Sequence, residues 1–449
     1  MTRALVLWCY LLAAPVAAQS ISLPSEKYQL ANGLEVILHE DRSVPMVAVN
    51  MYYKVGSADE KPGRTGFAHL FEHIMFMGSA HVPVGQFDQL LEAAGAANNG
   101  STNEDRTDYN IEMPSNALPL ALWLDADRLG WLLPTMDQSK LDVQRDVVKN
   151  ERRQGVDNVP YGRAFETIAA ALYPREHPYS WPVIGSMADL SAASLEDVTQ
   201  FFRNYYVPNN AALVVAGDFD RDSVRGWVER NFGDIPRGAE LPTRPTPSPV
   251  ILARDTFLVL EDRVQLPRVY WTWPSAALFQ PDDASLDLLA YILAGDKNSR
   301  LYKRLVYDLQ LAQDVSAFQA SSRLSSQFYV IATPKPGQTP AAIGTLVQEE
   351  LTKLMRDGIT PRELERARNT FRARKIDQLS SVRGKASLLN YYNYFAGTPN
   401  YAREDAERYD RVTRDDIHRV AHAYLAKPKV VLTVVPAGQT SLKVTGGSR

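Results

Sequence analysis

The sequence has one cysteine, few histidines and no excess of either charge, and each shortage excludes a class of protein. The single cysteine, Cys9, lies in the N-terminal apolar segment, so the rest of the chain has neither a disulfide nor a catalytic thiol. Lys plus Arg number 49 and Asp plus Glu 52, so the overall charge provides no basic surface for nucleic acid. With 45% hydrophobic and 22% charged residues among 449, the composition is that of a globular protein with room for two or three domains.

The first residues have the pattern of a secretory signal peptide. Arg3 precedes an apolar run, Ala4–Ala18, which ends in small residues suited to cleavage. This run is interrupted by Pro15 and is shorter than the roughly 20 residues that span a bilayer, which disfavours the alternative of a membrane anchor. No later stretch is long enough to span. We therefore expect residues 1–18 to be removed and the cysteine-free mature chain to be exported to a bacterial periplasm.

A proline-rich segment divides the mature chain nearly in half. Five prolines fall between Pro236 and Pro249, and prolines remove backbone donors and favour an extended chain. We predict a first domain over residues 19–235, a linker over 236–249 and a second domain over 250–449.

The two halves resemble each other in sequence. The segment around Asp197 recurs around Asp416, and Pro45 recurs as Pro267 at nearly the same separation. Consecutive strand-like segments are followed by runs of helical spacing. The pattern predicts an α+β protein of two homologous domains from internal duplication, each an antiparallel-rich sheet packed with helices.

The first half has the clearest predicted elements. Segments of strand length that are rich in β-branched and aromatic residues are Leu34–Leu38, Met46–Val55, Tyr109–Met113 and Ala211–Ala216. Segments with helical spacing are Phe87–Ala94, Leu118–Leu129, Lys140–Gln154 and Leu195–Tyr205, the last with Ser194 as its N-cap.

The most informative motif is His69-Leu70-Phe71-Glu72-His73. On a helix, His69 and His73 share one face, so both imidazoles can reach one metal ion, and Glu72 points toward the same place. This H-x-x-E-H order is that of the inverzincins. A zinc ion lowers the pKa of water toward neutrality, and Glu72 as general base can accept the proton released when a peptide carbonyl is attacked. The alternative is that both histidines simply line an amphipathic helix.

The second half has no equivalent motif. At the corresponding position it has Leu286–Ala290, which contains neither histidine nor glutamate. His418 and His422 are also four residues apart, but no acidic residue lies between them, so we do not expect a metal there. The sequence thus predicts a single metal site, in the first half.

Over its whole mature length the chain resembles the pitrilysin-type zinc peptidases, in the two-domain branch that includes mitochondrial processing peptidase and paired bacterial homologues. The residues that carry the resemblance are the H-x-x-E-H motif, Asn32-Gly33-Leu34, Pro45, Gly56-Ser57, Gly78-Ser79, Arg145-Asp146-Val147-Val148 with Glu151, and Pro208-Asn209-Asn210 before Gly217. The resemblance implies a zinc metalloendopeptidase shaped as half of a clamshell. It implies that His69, His73 and Glu151 hold one zinc ion and that Glu72 is the catalytic base, whereas Glu151 alone would be read as a solvated helix carboxylate.

One position departs from the family. Seven residues before Glu151, where a second glutamate is usual, this sequence has Gln144. An amide can hydrogen-bond a ligand or water but supplies no charge, so we expect an altered zinc affinity or rate.

The resemblance also implies a substrate-binding edge strand at Asn99, Gly100, Ser101 and Thr102. An unpaired strand edge offers main-chain hydrogen bonds to an extended peptide, so the expected substrates are peptides or unfolded segments. From these residues alone, a turn leading into a hairpin is equally compatible.

A partner subunit is the last expectation. In the family, a second half-shell closes the chamber and carries an Arg and a Tyr seven residues apart. Here Leu311 follows Arg304 at that spacing and Gln313 stands where the tyrosine is expected, although Arg304 with Tyr307 is a possible local substitute. We expect a heterodimer in which a homologous partner supplies the pair; a homodimer is the alternative.

The competing function is a non-catalytic assembly or binding subunit of a peptidase-like complex. The intact His69, Glu72, His73 and Glu151 argue against it, whereas Gln144 keeps it open.

Overall fold

In the computed structural model, residues 21–244 and 246–446 are described. The predicted signal peptide, residues 1–18, therefore lies outside the described residues. The strands are β1 (Glu26–Gln29), β2 (Glu35–Glu40), β3 (Met46–Tyr53), β4 (Ala97–Thr102), β5 (Thr107–Pro114), β6 (Ala211–Gly217), β7 (Thr256–Asp262), β8 (Arg268–Ser275), β9 (Ala312–Ala320), β10 (Ser326–Pro334) and β11 (Val430–Pro436).

Helices surround these strands. They are α1 (Phe67–Ile74), α2 (Gln86–Ala93), α3 (Leu118–Trp131), α4 (Gln138–Arg152), α5 (Ala164–Leu172), α6 (Met187–Ala192), α7 (Leu195–Tyr205), α8 (Arg221–Phe232), α9 (Asp283–Ala294), α10 (Pro340–Asp357), α11 (Pro361–Gln378), α12 (Val382–Phe395), α13 (Ala402–Arg411) and α14 (Arg414–Val420). Among the described residues, no helix is both long and apolar enough to cross a membrane.

The strands form two sheets with the same order. The first sheet is ordered β1-β2-β6-β3-β5-β4 and the second β7-β11-β8-β10-β9. In each, the last strand along the chain pairs in parallel with one early strand, β6 with β2 and β11 with β7, and the other pairings are antiparallel. Apart from the added β1, the two orders coincide when the strands of each half are counted from its start. This agreement confirms the predicted α+β fold of two duplicated domains.

Each sheet has a hydrophobic core on one face. In the first half, apolar residues of β2, β3, β5 and β6 pack against α1, α3, α7 and α8. In the second half, residues of β8, β9 and β10 pack against α9, α10, α11 and α14. The alternation of side chains along a strand buries every second residue in these cores.

The opposite faces of the two sheets are covered by exchanged helices. Helix α12, from the second half of the chain, packs its Ala386 and Leu389 against Val214 of the first sheet. Helix α5, from the first half, packs its Ile168 against Leu432 of the second sheet. The halves therefore interlock rather than touch at one surface.

The proline-rich segment connects the halves without a helix or strand in its described residues. Arg244 fixes it to the first half, since its guanidinium donates to the carboxylate of Asp59 at 2.7 Å and to the carbonyl of Lys54. The domain boundaries at residues 235 and 250 stay a prediction.

Candidate metal centre

Helix α1 carries the H-x-x-E-H motif and begins after a left-handed glycine. Gly66 has φ 87°, and a Cβ there would lie 2.7 Å from the carbonyl oxygen of Ile184. The buried carboxylate of Glu60 caps the helix by accepting hydrogen bonds from the N–H groups of Gly66 (3.0 Å) and Ala68 (2.8 Å). The sequence gives little sign of this cap, because its only mark is an acidic residue six positions before a glycine. The residues of α1 buried in the core are Phe67, Ala68, Leu70, Phe71 and Ile74.

The three predicted metal ligands converge. Glu151 lies in the last turn of α4, which packs against α1. Its Oε2 atom is 3.1 Å from Nε2 of His73 and 3.7 Å from Nε2 of His69. Among the described residues, these three form a group whose ligand atoms all lie within 4.8 Å of one another.

Burial sets the charge of the two imidazoles. Burial and, to a smaller extent, the neighbouring His73 lower the pKa of His69 to about 4, although Glu151 acts in the opposite direction. Burial also lowers the pKa of His73, again against Glu151. Both rings are therefore neutral near pH 7, and the neutral ring is the form that binds a metal ion. Nδ1 of His69 is buried without a hydrogen-bond partner among the described residues.

Glu72 faces the same space and is held by the edge strand β4. Its Oε2 atom accepts a hydrogen bond of 2.6 Å from the hydroxyl of Thr102. Burial raises the pKa of Glu72 to about 7, although the Thr102 bond acts in the opposite direction. A Cβ at Gly100 would lie only 2.9 Å from Cγ of Glu72, so the glycine lets the strand approach the carboxylate.

The free edge of β4 lies beside this carboxylate. The turn between β4 and β5 is closed by the N–H of Asn103 donating to the carbonyl of Arg106 at 3.0 Å. Counting back from that pair, hydrogen-bonded positions alternate in an antiparallel ladder. The backbone groups of Ser101 therefore point toward β5, whereas those of Gly100 and Thr102 point outward at the edge.

The four predicted substrate-binding residues thus divide between two faces of β4. Gly100 and Thr102 face Glu72, whereas the hydroxyl of Ser101 donates to Asp108 at 2.6 Å on the other face. Asn99 is exposed. These four residues lie in the strand β4 and not in a turn, because the turn of the hairpin with β5 falls at residues 103–106.

Gln144 lies two turns before Glu151 on α4. Its amide donates to the sulfur of Met77 at 2.7 Å, and the hydrogen bonds of the described residues include none from it to His69, His73 or Glu151. Its expected influence on the metal stays a prediction.

Residues of the second half that the sequence singled out lie in other surroundings. Arg304 is paired with Glu349 at 2.5 Å, and Tyr307 is 73% exposed. His418 and His422 both donate from Nε2 to one carbonyl, that of Met355, at 2.6 and 2.8 Å.

Comparison with known proteins identifies the family of this chain. Residues 35–185 match the family described as insulinase (peptidase family M16), and residues 192–371 match the one described as peptidase M16 inactive domain. The zinc protease PqqE of Helicobacter pylori is 30% identical over 419 residues, which cover 92% of this chain and 93% of that protein. The chain belongs to peptidase family M16.

Other M16 relatives and structures agree with this assignment. An uncharacterized zinc protease of Bacillus subtilis, YmxG, is 22% identical over 92% of this chain and 98% of that protein. The crystal structure of a protease from Helicobacter pylori superposes with a TM-score of 0.85 at 27% identity, covering 93% of this chain and all of that chain. A peptidase M16 inactive domain from Pseudomonas fluorescens has the same fold, with a TM-score of 0.82 at 19% identity.

Proposed function

We propose that this M16 chain is a zinc-dependent endopeptidase that hydrolyses extended peptides or unfolded segments. The observation that carries the proposal is the convergence of His69, His73 and Glu151 beside Glu72, next to the free edge of β4. Zinc, an oriented carboxylate and a strand edge are the three parts that such a reaction requires.

The donor set fits a zinc ion. A tetrahedral site with metal–ligand distances near ~2.1 Å separates neighbouring ligand atoms by about 3.4 Å. The distances from Oε2 of Glu151 to the two imidazole nitrogens, 3.1 and 3.7 Å, lie on either side of this value. Two neutral imidazoles and one carboxylate are three protein ligands, which is the number typical of catalytic zinc sites.

The chain's own residues would then divide the work. When bound, zinc supplies Lewis acidity, which polarises a carbonyl and lowers the pKa of water. Glu72 accepts a proton from the attacking water and later donates it to the leaving amine. Thr102 holds one carboxylate oxygen of Glu72 in place. The outward backbone groups of Gly100 and Thr102 pair with the peptide and keep its scissile bond near Glu72.

A metal and turnover measurement tests the proposal. Mature protein, residues 19–449, is purified and assayed for zinc by mass spectrometry and for cleavage of an unstructured peptide library. We expect about one zinc per chain, cleavage that a chelator stops, and recovery on adding zinc. Zinc-free protein, or cleavage that is indifferent to the chelator, would contradict the proposal.

We further propose that the chain acts as the zinc-bearing half of a heterodimer. Arg304 is paired with Glu349, and Leu311 and Gln313 stand where the tyrosine would be expected, which supports the view that the carbonyl-holding Arg and Tyr come from a homologous partner. Such donors contribute most in a closed, dry site. Adding the partner should raise turnover of the purified chain; full activity of a homodimer, unchanged by the partner, would contradict this.

Export to the periplasm remains part of the proposal and rests on the pattern of residues 1–18. Cell fractionation with mass determination of the mature N-terminus tests it. Recovery of the full-length chain in the cytoplasmic fraction would contradict it.

The alternative function, a non-catalytic subunit, is favoured by one observation. Gln144 stands where the family has a second glutamate, and its amide contacts Met77. Zinc bound at full occupancy without turnover, alone or with the partner, would support this alternative.

A further inference from the structure

We infer that Asp105 is a positioning residue, through which the second half of the chain holds the edge strand β4 against Glu72. The inference rests on the proposed peptidase function. In this arrangement, the half without a metal site fixes the strand to which the substrate pairs.

Asp105 lies in the turn between β4 and β5 and is only 3% exposed. Its carboxylate accepts hydrogen bonds from the hydroxyl of Tyr179 at 2.7 and 2.8 Å. It also accepts bonds from the backbone N–H of Arg323 at 3.0 Å and from Nε of Arg323 at 3.3 Å. Arg323 belongs to the turn between β9 and β10, so this buried carboxylate joins a turn of the first sheet to a turn of the second.

Helix α12 adds a second contact from the same half. The hydroxyl of Tyr394 donates to the backbone carbonyl of Asp105 at 3.1 Å. Tyr394 in turn contacts Arg244 of the proline-rich segment. Three segments that follow the first sheet in the chain thus meet at this position. They are the proline-rich segment, α12 and the β9–β10 turn.

The other side of the turn is held by the first half. The N–H groups of Ser57 and Ala58 donate to the carbonyls of Asn103 (3.2 Å) and Glu104 (2.8 Å). A Cβ at Gly56 would lie 2.3 Å from the carbonyl oxygen of Asn103, so the two backbones touch. The turn is therefore held from both halves, by Ser57 and Ala58 on one side and by Arg323 on the other.

Thr102 makes this clamp relevant to catalysis. It is three residues from Asp105, its hydroxyl bonds Glu72, and its backbone groups point to the free edge. Because β4 pairs with a neighbour only on its β5 side, the clamped turn is its main restraint at this end. A displacement of about 1 Å in such a strand is enough to lower a rate about 100-fold.

The first test compares Asp105→Asn with a matched control, Asp41→Asn. Asp41 also binds the second half, through Lys385 of α12, but does not touch β4. Each holoenzyme is assayed with a long unstructured peptide and with a short one that spans only the scissile bond. In Asp105→Asn we expect kcat/KM for the long peptide to fall about 10- to 100-fold, while the short peptide changes much less.

General destabilisation would lower the apparent kcat/KM for both peptides by the same factor, because it only reduces the amount of folded enzyme. Equal losses for long and short peptides, or equal behaviour of the two variants, would therefore overturn the inference.

A double-mutant cycle with Tyr179→Phe locates the effect. Removing the hydroxyl breaks the same bond from the other side, together with the bond of 3.1 Å that this hydroxyl accepts from the N–H of Leu324, so the two losses should be less than additive in the double variant. Additive losses would overturn the assigned contact.

The last readout needs no activity. Hydrogen exchange in peptides covering residues 97–110 should be at least about 10-fold faster in Asp105→Asn than in wild type or Asp41→Asn, at unchanged zinc content. If the wild type cleaves no peptide, the proposed function fails and this measurement alone decides the inference. Unchanged exchange would overturn it.

Discussion

The two sheets place a helix against an edge strand in the same way, α1 against β4 and α9 against β9, but the polar residues at the two junctions differ. At the first junction, Glu72 has a hydrogen bond from Thr102 and forms no salt bridge within the described residues, although the charge of Arg106 acts on it from a distance. At the second, Asp283 accepts bonds from Gln319 and Ser321, both at 2.8 Å, and is paired with Arg408 at 3.1 Å.

This contrast shows how the same scaffold can place different polar groups at equivalent junctions, and only the first junction holds a candidate reactive site. In the second half, the neighbours of Asp283 satisfy its carboxylate with hydrogen bonds and an ion pair, so this carboxylate has a structural role. Asp287, one turn further along α9, accepts a bond of 2.6 Å from the hydroxyl of Tyr409, and burial raises its pKa to about 8. In the first half the polar groups are left facing a shared space. The fold is common to both halves, and a few side chains decide the chemistry.

The largest expected difference between the halves comes from removing the carboxylate at each helix. Glu72→Gln should keep zinc, since the three ligands remain, but lose proton acceptance and about 10²–10⁴-fold in kcat. Asp287→Asn, the same kind of change on α9, should leave both zinc and kcat near wild type. Peptidase kinetics with metal analysis check this. An active Glu72→Gln enzyme with bound zinc would refute the base.

Metal affinity should differ just as clearly between the two histidine pairs. His73→Ala removes a proposed ligand and should weaken zinc binding by at least about 100-fold. His422→Ala removes only a bond to the carbonyl of Met355 and should leave zinc unchanged. Competition with a chelator of known affinity measures both. If Glu151→Ala kept wild-type affinity, the third ligand would be a different residue.

A smaller effect is expected from the contact between strand and helix. Gly100→Ala places a methyl group 2.9 Å from Cγ of Glu72, so strand or carboxylate must shift, and we expect kcat to fall about 10-fold with zinc retained. Gly226→Ala in α8 is the control, because a Cβ there meets nothing within 4 Å. Kinetics of both variants check the prediction. A wild-type rate in Gly100→Ala would show that the close approach is not needed.

The smallest effect concerns stability of the second half. Burial alone would raise the pKa of Glu363, but bonds from Arg300 at 2.6 and 2.9 Å and from Thr360 hold it at about 2. Since this lies below the value of about 4.3 for a free glutamate, the pair stabilises the fold above that pH and loses this contribution as the pH falls toward 2.

Solvent screens this half-buried pair, so Glu363→Gln should cost about 1 kcal/mol at pH 7. Urea unfolding of both proteins between pH 7 and pH 3 measures the difference, which should shrink with falling pH while zinc content stays equal. A difference independent of pH would show that the charge of Glu363 is not the cause.

The sequence predicted elements whose signals are local. Helix α7 begins and ends at the predicted residues Leu195 and Tyr205, with the predicted N-cap Ser194 accepting from the N–H of Asp197. Helix α4 was predicted to begin two residues too late, at Lys140, because the N-cap signal of Asp137 was overlooked. The spacing of His69 and His73 predicted their shared helix face, because helical periodicity fixes it.

Contacts between distant segments could not be predicted. Glu151 became a ligand candidate only through resemblance, since nothing in α4 points to α1. The bond between Thr102 and Glu72, the clamp at Asp105 and the exchange of α5 and α12 depend on tertiary packing, which leaves no periodic signal in the chain. The short strand β1 was missed because its four residues alternate without a clear apolar face.

The exchanged helix α12 has a consequence for how the protein is made. The first sheet is complete once β6 has been synthesised at Gly217, yet the helix that covers its second face starts only at Val382. At ordinary translation speeds, roughly 10 to 30 s separate these two events. During that time Ile37, Ala48 and Val214 lack the apolar cover of α12, so we expect the nascent chain to expose this sheet face until its second half has emerged.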